Sequence, residues 1–124
     1  MKQQILLIDD DPVINFIHSK IIRKKFPDVP LLIFENGHKA LAHLKSNPVN
    51  SYLIFLDLNM PELDGWGFLK AMSLDYKGID SQVYVVTSSV DPVDKMRAKR
   101  YDQVLSFLIK PLKADDLEKI PFVL

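Results

Sequence analysis

The residues of this chain that could do chemistry share one placement: each ends a short apolar run. Ile5-Leu6-Leu7-Ile8 runs into Asp9-Asp10-Asp11, and Leu53-Ile54-Phe55-Leu56 into Asp57. Val83-Tyr84-Val85-Val86 ends in the hydroxyl of Thr87, and Leu108-Ile109 in Lys110-Pro111. Brought together, two carboxylates at ~4 Å repel by about 4 kcal/mol at an effective dielectric of ~20. Asp9, Asp10 and Asp57 would therefore need one acid to stay protonated or a cation among them, and a hard divalent ion with oxygen ligands is the natural answer. Mg2+ suits, because it takes one or two carboxylates, keeps waters and accepts phosphate oxygens as further ligands. Lys110 on the same edge is expected to pair with the acids, although a lone strand-end lysine can also snorkel into solvent. Thr87 alone is an ordinary strand residue whose hydroxyl matters through its company. Asp11 is assigned to a helix cap, since Pro12 follows at the first helical position. Asp57 ends a wholly apolar run with no cap to make, and is expected to be the reactive residue.

These groups meet only if the runs are neighbouring strands. Apolar runs near residues 4–8, 31–34, 52–56, 83–86 and 105–109, without strict alternation, suit strands buried on both faces. Helical spacing fills the gaps. Val13, Ile14, Ile17 and Ile21 mark one predicted face after Pro12; Ala40, Leu41 and Leu44 follow Gly37; Phe68, Leu69 and Met72 follow Gly65. Asp91-Pro92 predicts the cap and first turn of a charged fourth helix bearing Lys95, Arg97, Lys99 and Arg100, read as a solvated face. A short fifth helix is expected from Asp115 to Ile120, stopped by Pro121. Strand and helix alternate throughout, so the expected class is α/β: one doubly wound five-stranded parallel sheet, order 2-1-3-4-5, flavodoxin-like, with helices on both faces. That order sets strands 1 and 3 side by side, roughly 4.8 Å apart, and their acids converge.

The 124 residues suit one domain, taken as 1–124. Sixteen basic and sixteen acidic residues cancel, so bulk charge predicts neither nucleic-acid nor membrane affinity. Cysteine is absent, which excludes disulfides and thiolate chemistry. No signal-peptide pattern or bilayer-length apolar stretch appears, and a cytoplasmic location is expected.

Ile5-Leu-Leu-Ile-Asp-Asp-Asp-Pro12, Phe55-Leu-Asp-Leu-Asn-Met-Pro-Glu-Leu-Asp-Gly65, Val86-Thr-Ser-Ser89 and Ile109-Lys-Pro111 together resemble the receiver domain of bacterial two-component response regulators, of the single-domain, chemotaxis type. The resemblance spans essentially the whole chain. It implies that Asp57 accepts a phosphoryl group from a histidine kinase or histidine phosphotransfer protein. It also implies Mg2+ held by Asp10, Asp57 and the backbone carbonyl of Asn59, with Asp9 holding a metal-bound water. Thr87 would bond a phosphoryl oxygen and Lys110 would pair with the carboxylate, then with the phosphate. The Lys110-Pro111 bond is expected to be cis.

Some positions depart from the family pattern. Receivers commonly carry an aromatic switch, often tyrosine, three residues before the lysine; here it is Phe107, either a switch driven by packing or plain core. Asn59, with Ser88 and Ser89, falls where the family tunes phosphoryl lifetime. Neither Asn59 nor Ser89 is a general base near neutral pH, so slow to moderate self-hydrolysis is expected. His18, His38 and His43 lack metal-ligand spacing and are placed on helix surfaces or core edges. Trp66, beside Gly65, is a candidate reporter of metal binding, and Phe122-Val123-Leu124 is an apolar tail expected to pack back on the domain or bind a partner.

The leading expectation is a phospho-accepting signalling module that catalyses only its own phosphorylation and dephosphorylation. It would act as a monomer or weak dimer, by docking an unknown downstream protein or passing phosphate onward. A receiver-like interaction domain that takes no phosphate is the alternative. A Mg2+-dependent phosphatase ranks below both, because such hydrolases usually place a second acid where Asn59 stands.

Overall fold

In a computed structural model, described here over residues 2–121, strands and helices alternate along the chain. The strands are β1 (Gln3–Ile8), β2 (Leu31–Phe34), β3 (Ser51–Leu56), β4 (Asp80–Thr87) and β5 (Val104–Ile109). All pair in parallel, in the order β2-β1-β3-β4-β5. The helices are α1 (Pro12–Lys25), α2 (Gly37–Ser46), α3 (Gly65–Asp75), α4 (Pro92–Ala98) and α5 (Ala114–Glu118). The sheet class, order and layering match the sequence expectation.

The two-residue period of a strand sorts the core into two layers. Leu6, Ile8, Ile54 and Leu56 point to one face and meet Ala40 and Leu44 of α2 and Phe68, Leu69 and Met72 of α3. Ile5, Leu7, Leu53 and Phe55 point to the other face and meet Ile22 of α1 and Leu117 of α5. A Lys25–Glu118 ion pair at 3.3 Å joins α1 to α5 at the surface. Asp11, Asn36, Asp64 and Asp91 cap α1 to α4, each accepting from backbone N–H groups of the first turn.

Three expectations need correction or limitation. Helix α1 does not turn Val13 and Ile17 inward: they are 64% and 41% exposed, while Asn15, His18, Ser19 and Ile22 are buried. The buried set follows the same three-four spacing, but its amino-terminal half is polar because it crosses strand ends that offer backbone groups to bond. Helix α4 ends at Ala98, so Lys99 is its C-cap and Arg100 lies beyond it. Arg97 is not simply solvated either, since its guanidinium stacks on the Trp66 ring at 4.3 Å. The tail Phe122-Val123-Leu124 lies outside the described residues.

Candidate functional site

The parallel register sets the acids together. Ile8 pairs with Leu56, so the next residues, Asp9 and Asp57, leave the sheet side by side at its carboxyl edge. Backbone bonds pin both: Asp57 N–H donates to the Ile8 carbonyl at 2.9 Å, and Asp9 N–H to the Phe34 carbonyl at 3.1 Å. One carboxylate oxygen from each of Asp9, Asp10 and Asp57 falls within 4.8 Å of the others. Asp9 and Asp57 are buried and Asp10 is exposed.

Lys110 reaches this cluster from β5, which is separated from β3 by β4. Its long stem therefore passes the end of β4, where Thr87 is fully buried. The Nζ lies 2.7 Å from Asp9 Oδ2 and 3.2 Å from Asp57 Oδ1. The sequence predicted pairing with the acids; the shorter contact is to Asp9. The Lys110–Pro111 bond is cis. Its carrier is anchored by the Lys110 N–H, which donates to the Thr87 carbonyl at 2.9 Å.

Gly65 lets α3 begin directly against the end of β3. A Cβ there would fall 2.5 Å from the Asp57 carbonyl oxygen and 2.7 Å from Leu58 Cα, both unyielding backbone atoms. Its N–H instead bonds the Leu58 carbonyl at 3.0 Å. Glu62, in the same loop, holds φ at 67°, a left-handed conformation uncommon outside glycine.

Electrostatics follow from burial. Asp57 is pushed up to about 6, first by desolvation and then by the Asp9 charge, against Lys110 and a backbone hydrogen bond from Asn59. Burial alone would lower Lys110, but its hydrogen bond to Asp9 and the charges of both acids outweigh that and hold it above the ordinary lysine value. Three carboxyl groups converge here against a single ammonium. That hard-oxygen donor set fits a divalent cation such as Mg2+.

The Thr87 hydroxyl accepts from Ser89 N–H at 3.2 Å, and the Ser89 hydroxyl donates to Asp94 of α4 at 2.7 Å. Ser88 and the Asn59 side chain are exposed. Phe107 is half-buried against the α2–α3 side of the core, in register with Val85.

Sequence reasoning missed two residues beneath the cluster. His38 and His43 lie at the surface and the core edge, but His18 is buried, and its Nε2 accepts the Leu112 N–H at 3.0 Å. Asn15 donates its Nδ2–H to the Asp9 carbonyl at 2.8 Å. Extending the Ile22 and Phe26 face of α1 backward by threes and fours would have reached both.

Residues 5–120 match the model of the response regulator receiver domain family. The chain is 29% identical over 120 residues to the chemotaxis protein CheY of Bacillus subtilis, covering 93% of this chain and 91% of that protein. It is 28% identical over 115 residues to the probable C4-dicarboxylate response regulator DctR of Halalkalibacterium halodurans, covering 93% of this chain but 48% of that protein. It therefore spans about half the length of that relative, and 20% of the Arabidopsis thaliana putative two-component response regulator ARR13. A crystal structure of a two-component response regulator from Cytophaga hutchinsonii superimposes with a TM-score of 0.84 at 30% identity, covering 95% of this chain and 93% of that one. No helix among the described residues is long and apolar enough to cross a membrane.

Proposed function

The chain belongs to the response regulator receiver family, and on that premise we propose that Asp57 accepts a phosphoryl group from a phosphohistidine on a histidine kinase or phosphotransfer protein. The observation that carries this reading is Lys110 Nζ lodged between Asp9 and Asp57 with Asp10 beside them. A buried acid pair with one lysine and spare negative charge is poorly suited to pure structure but well suited to a divalent ion and an incoming anion.

Asp57 supplies the attacking oxygen. As its O–P bond forms, the P–N bond to the donor imidazole breaks, and that ring retains or acquires a proton to leave neutral. Asp10 and Asp57, with the Asn59 carbonyl, would hold Mg2+, and Asp9 would hold one of its waters. Mg2+, when bound, neutralises phosphoryl oxygens and so lowers the barrier. Lys110 adds a fixed positive charge at the same place and exchanges a carboxylate partner for a phosphoryl oxygen. Thr87 Oγ1 accepts from Ser89, so its own proton is free to go to the phosphoryl group.

Turning Thr87 toward that group takes the acceptor from Ser89 N–H, and Ser89 is bonded to Asp94 in the first turn of α4. The chemical event thereby reaches the α4 surface, with Phe107 repacking by apolar contact alone. The protein would act as a monomer or weak dimer in the cytoplasm on a downstream protein partner, transforming no separate substrate.

Incubation with acetyl phosphate and Mg2+, followed by intact-mass measurement, tests this. A single phosphoryl adduct should form, require Mg2+ and disappear in Asp57→Asn. No adduct from any phosphodonor would leave an interaction domain that takes no phosphate.

A further inference from the structure

Helix α1 lays a polar edge under the carboxyl end of the sheet. Asn15 bonds the Asp9 carbonyl, and one turn later His18, 1% exposed, accepts the Leu112 N–H through Nε2. Leu112 stands two positions after Lys110, and Pro111 between them has no N–H. The segment from Lys110 to Leu112 thus has two backbone donors. The first goes to the Thr87 carbonyl at 2.9 Å and the second to His18 at 3.0 Å. Lys110 is slung between β4 on one side and α1 on the other.

The ring's protonation follows from that bond. A nitrogen that accepts carries no proton, so the neutral ring keeps its proton on Nδ1. Nδ1 is buried with no hydrogen-bond partner among the described residues, as is Asn15 Oδ1. A leucine would fill the space without burying a bare polar atom. What it could not do is accept from Leu112. Burial, helped by Lys110 and opposed by Asp9, lowers the pKa of His18 and favours the neutral, accepting form.

We propose that His18 is a positioning residue: by accepting the Leu112 N–H it fixes the Lys110-Pro111-Leu112 segment so that Lys110 Nζ is held between Asp9 and Asp57. This rests on the phosphoacceptor reading of Asp57 given above. The acids directly follow β1 and β3, where Asp9 and Asp57 are pinned by backbone bonds to the Phe34 and Ile8 carbonyls, and do not depend on this tether. Losing it displaces the lysine and leaves the cation ligands in place. A general loosening of the fold would disturb both.

The test compares His18→Gln, His18→Asn and His18→Leu. Glutamine Oε1 lies as many bonds from Cα as histidine Nε2, whereas asparagine places its oxygen one bond short. Adduct formation with acetyl phosphate should slow about tenfold in H18L and H18N and return to near the wild-type rate in H18Q, as expected for loss and restoration of one hydrogen bond. The Mg2+ affinity, read from Trp66 fluorescence, should not fall in any of the three, because the ligand set is untouched and an ammonium drawn away from Asp9 and Asp57 only removes a competing positive charge. Wild-type speed in H18L and H18N, a slow H18Q, or Mg2+ affinity falling with the rate overturns the proposal. If H18L does not fold, the contrast between H18N and H18Q decides. Should wild-type protein form no adduct, the phosphoacceptor reading fails separately, and 15N NMR settles the tether. Supporting results are an unprotonated His18 Nε2, with Lys110 and Leu112 resonances that shift in H18N and not in H18Q. A protonated Nε2, or resonances unmoved in H18N, rejects it.

Discussion

Helices α1 and α3 flank the same site from opposite faces of the sheet, and beside it they bury opposite kinds of surface, while the far end of α1 adds Ile22 to the apolar core. Helix α3 turns Phe68, Leu69 and Met72 inward and contributes apolar area. Helix α1 turns Asn15, His18 and Ser19 inward over the strand ends and leaves Val13, Phe16 and Ile17 exposed. Helix α3 holds the sheet, and helix α1 holds the loops that carry Asp9 and Lys110. Packing and positioning are thus divided between two elements, and substitutions should separate them.

The largest expected effect lies on the packing side. Phe68 is fully buried, and Phe68→Ala should lower stability by about 3–5 kcal/mol in urea unfolding. Mg2+ affinity, measured per folded molecule, should hardly change. If affinity fell in step with stability, the division between the helices would not exist.

Next comes the site itself, without metal. Asp57 titrates near 6 in the folded protein against a reference value of 3.8. Between those values the folded state keeps a proton that the unfolded chain releases. Stability therefore falls as pH rises through this window, by about 3 kcal/mol at ~1.4 kcal/mol per pH unit, and the loss is complete above it. Urea midpoints in chelator from pH 4 to pH 7 should show this decline. Asp57→Asn should abolish it and saturating Mg2+ should offset it. A wild-type profile as flat as that of the variant would remove burial as the source of the shift.

The contrast between the helices also explains what the sequence disclosed. Strands ending in acids, threonine and lysine were legible because a charged or polar group ending an apolar run has few explanations, and the parallel sheet then dictates where those groups go. Helix α3 was legible because its apolar residues and its buried face coincide. Helix α1 misled, because Val13 and Ile17 carry the stronger apolar pattern while the inward face is set by Ile22 and Phe26 at its far end. His18, which has neither metal-ligand spacing nor a strand-end position, reads from the sequence as a surface or core-edge residue. Its partner, the Leu112 N–H, is 94 positions away, and a backbone donor has no sequence signature.

A smaller effect should come from the positioning side. Asn15→Ala removes the bond to the Asp9 carbonyl but also the bare Oδ1, and these offset to a net cost of about 1 kcal/mol. Mg2+ affinity should nevertheless weaken several-fold, because the Asp9 loop loses its tether to α1. That is the reverse of the Phe68→Ala pattern, and isothermal titration alongside unfolding measures both.

The smallest effect is expected on the outward face of α1. Phe16 is 61% exposed, and among the described residues its ring carries only the Lys20 ammonium, 4.5 Å from the centroid. A cation over an exposed ring contributes ~0.5 kcal/mol, so Phe16→Ser should move stability by no more than about that amount. Phosphorylation by acetyl phosphate should proceed at the wild-type rate, since this donor needs no docking surface. A deficit seen only with a protein phosphodonor would assign the outward face of α1 to docking while its inward face positions the site. A loss of stability well beyond ~0.5 kcal/mol would instead mean that both faces of α1 hold the fold, and the contrast with α3 would fail.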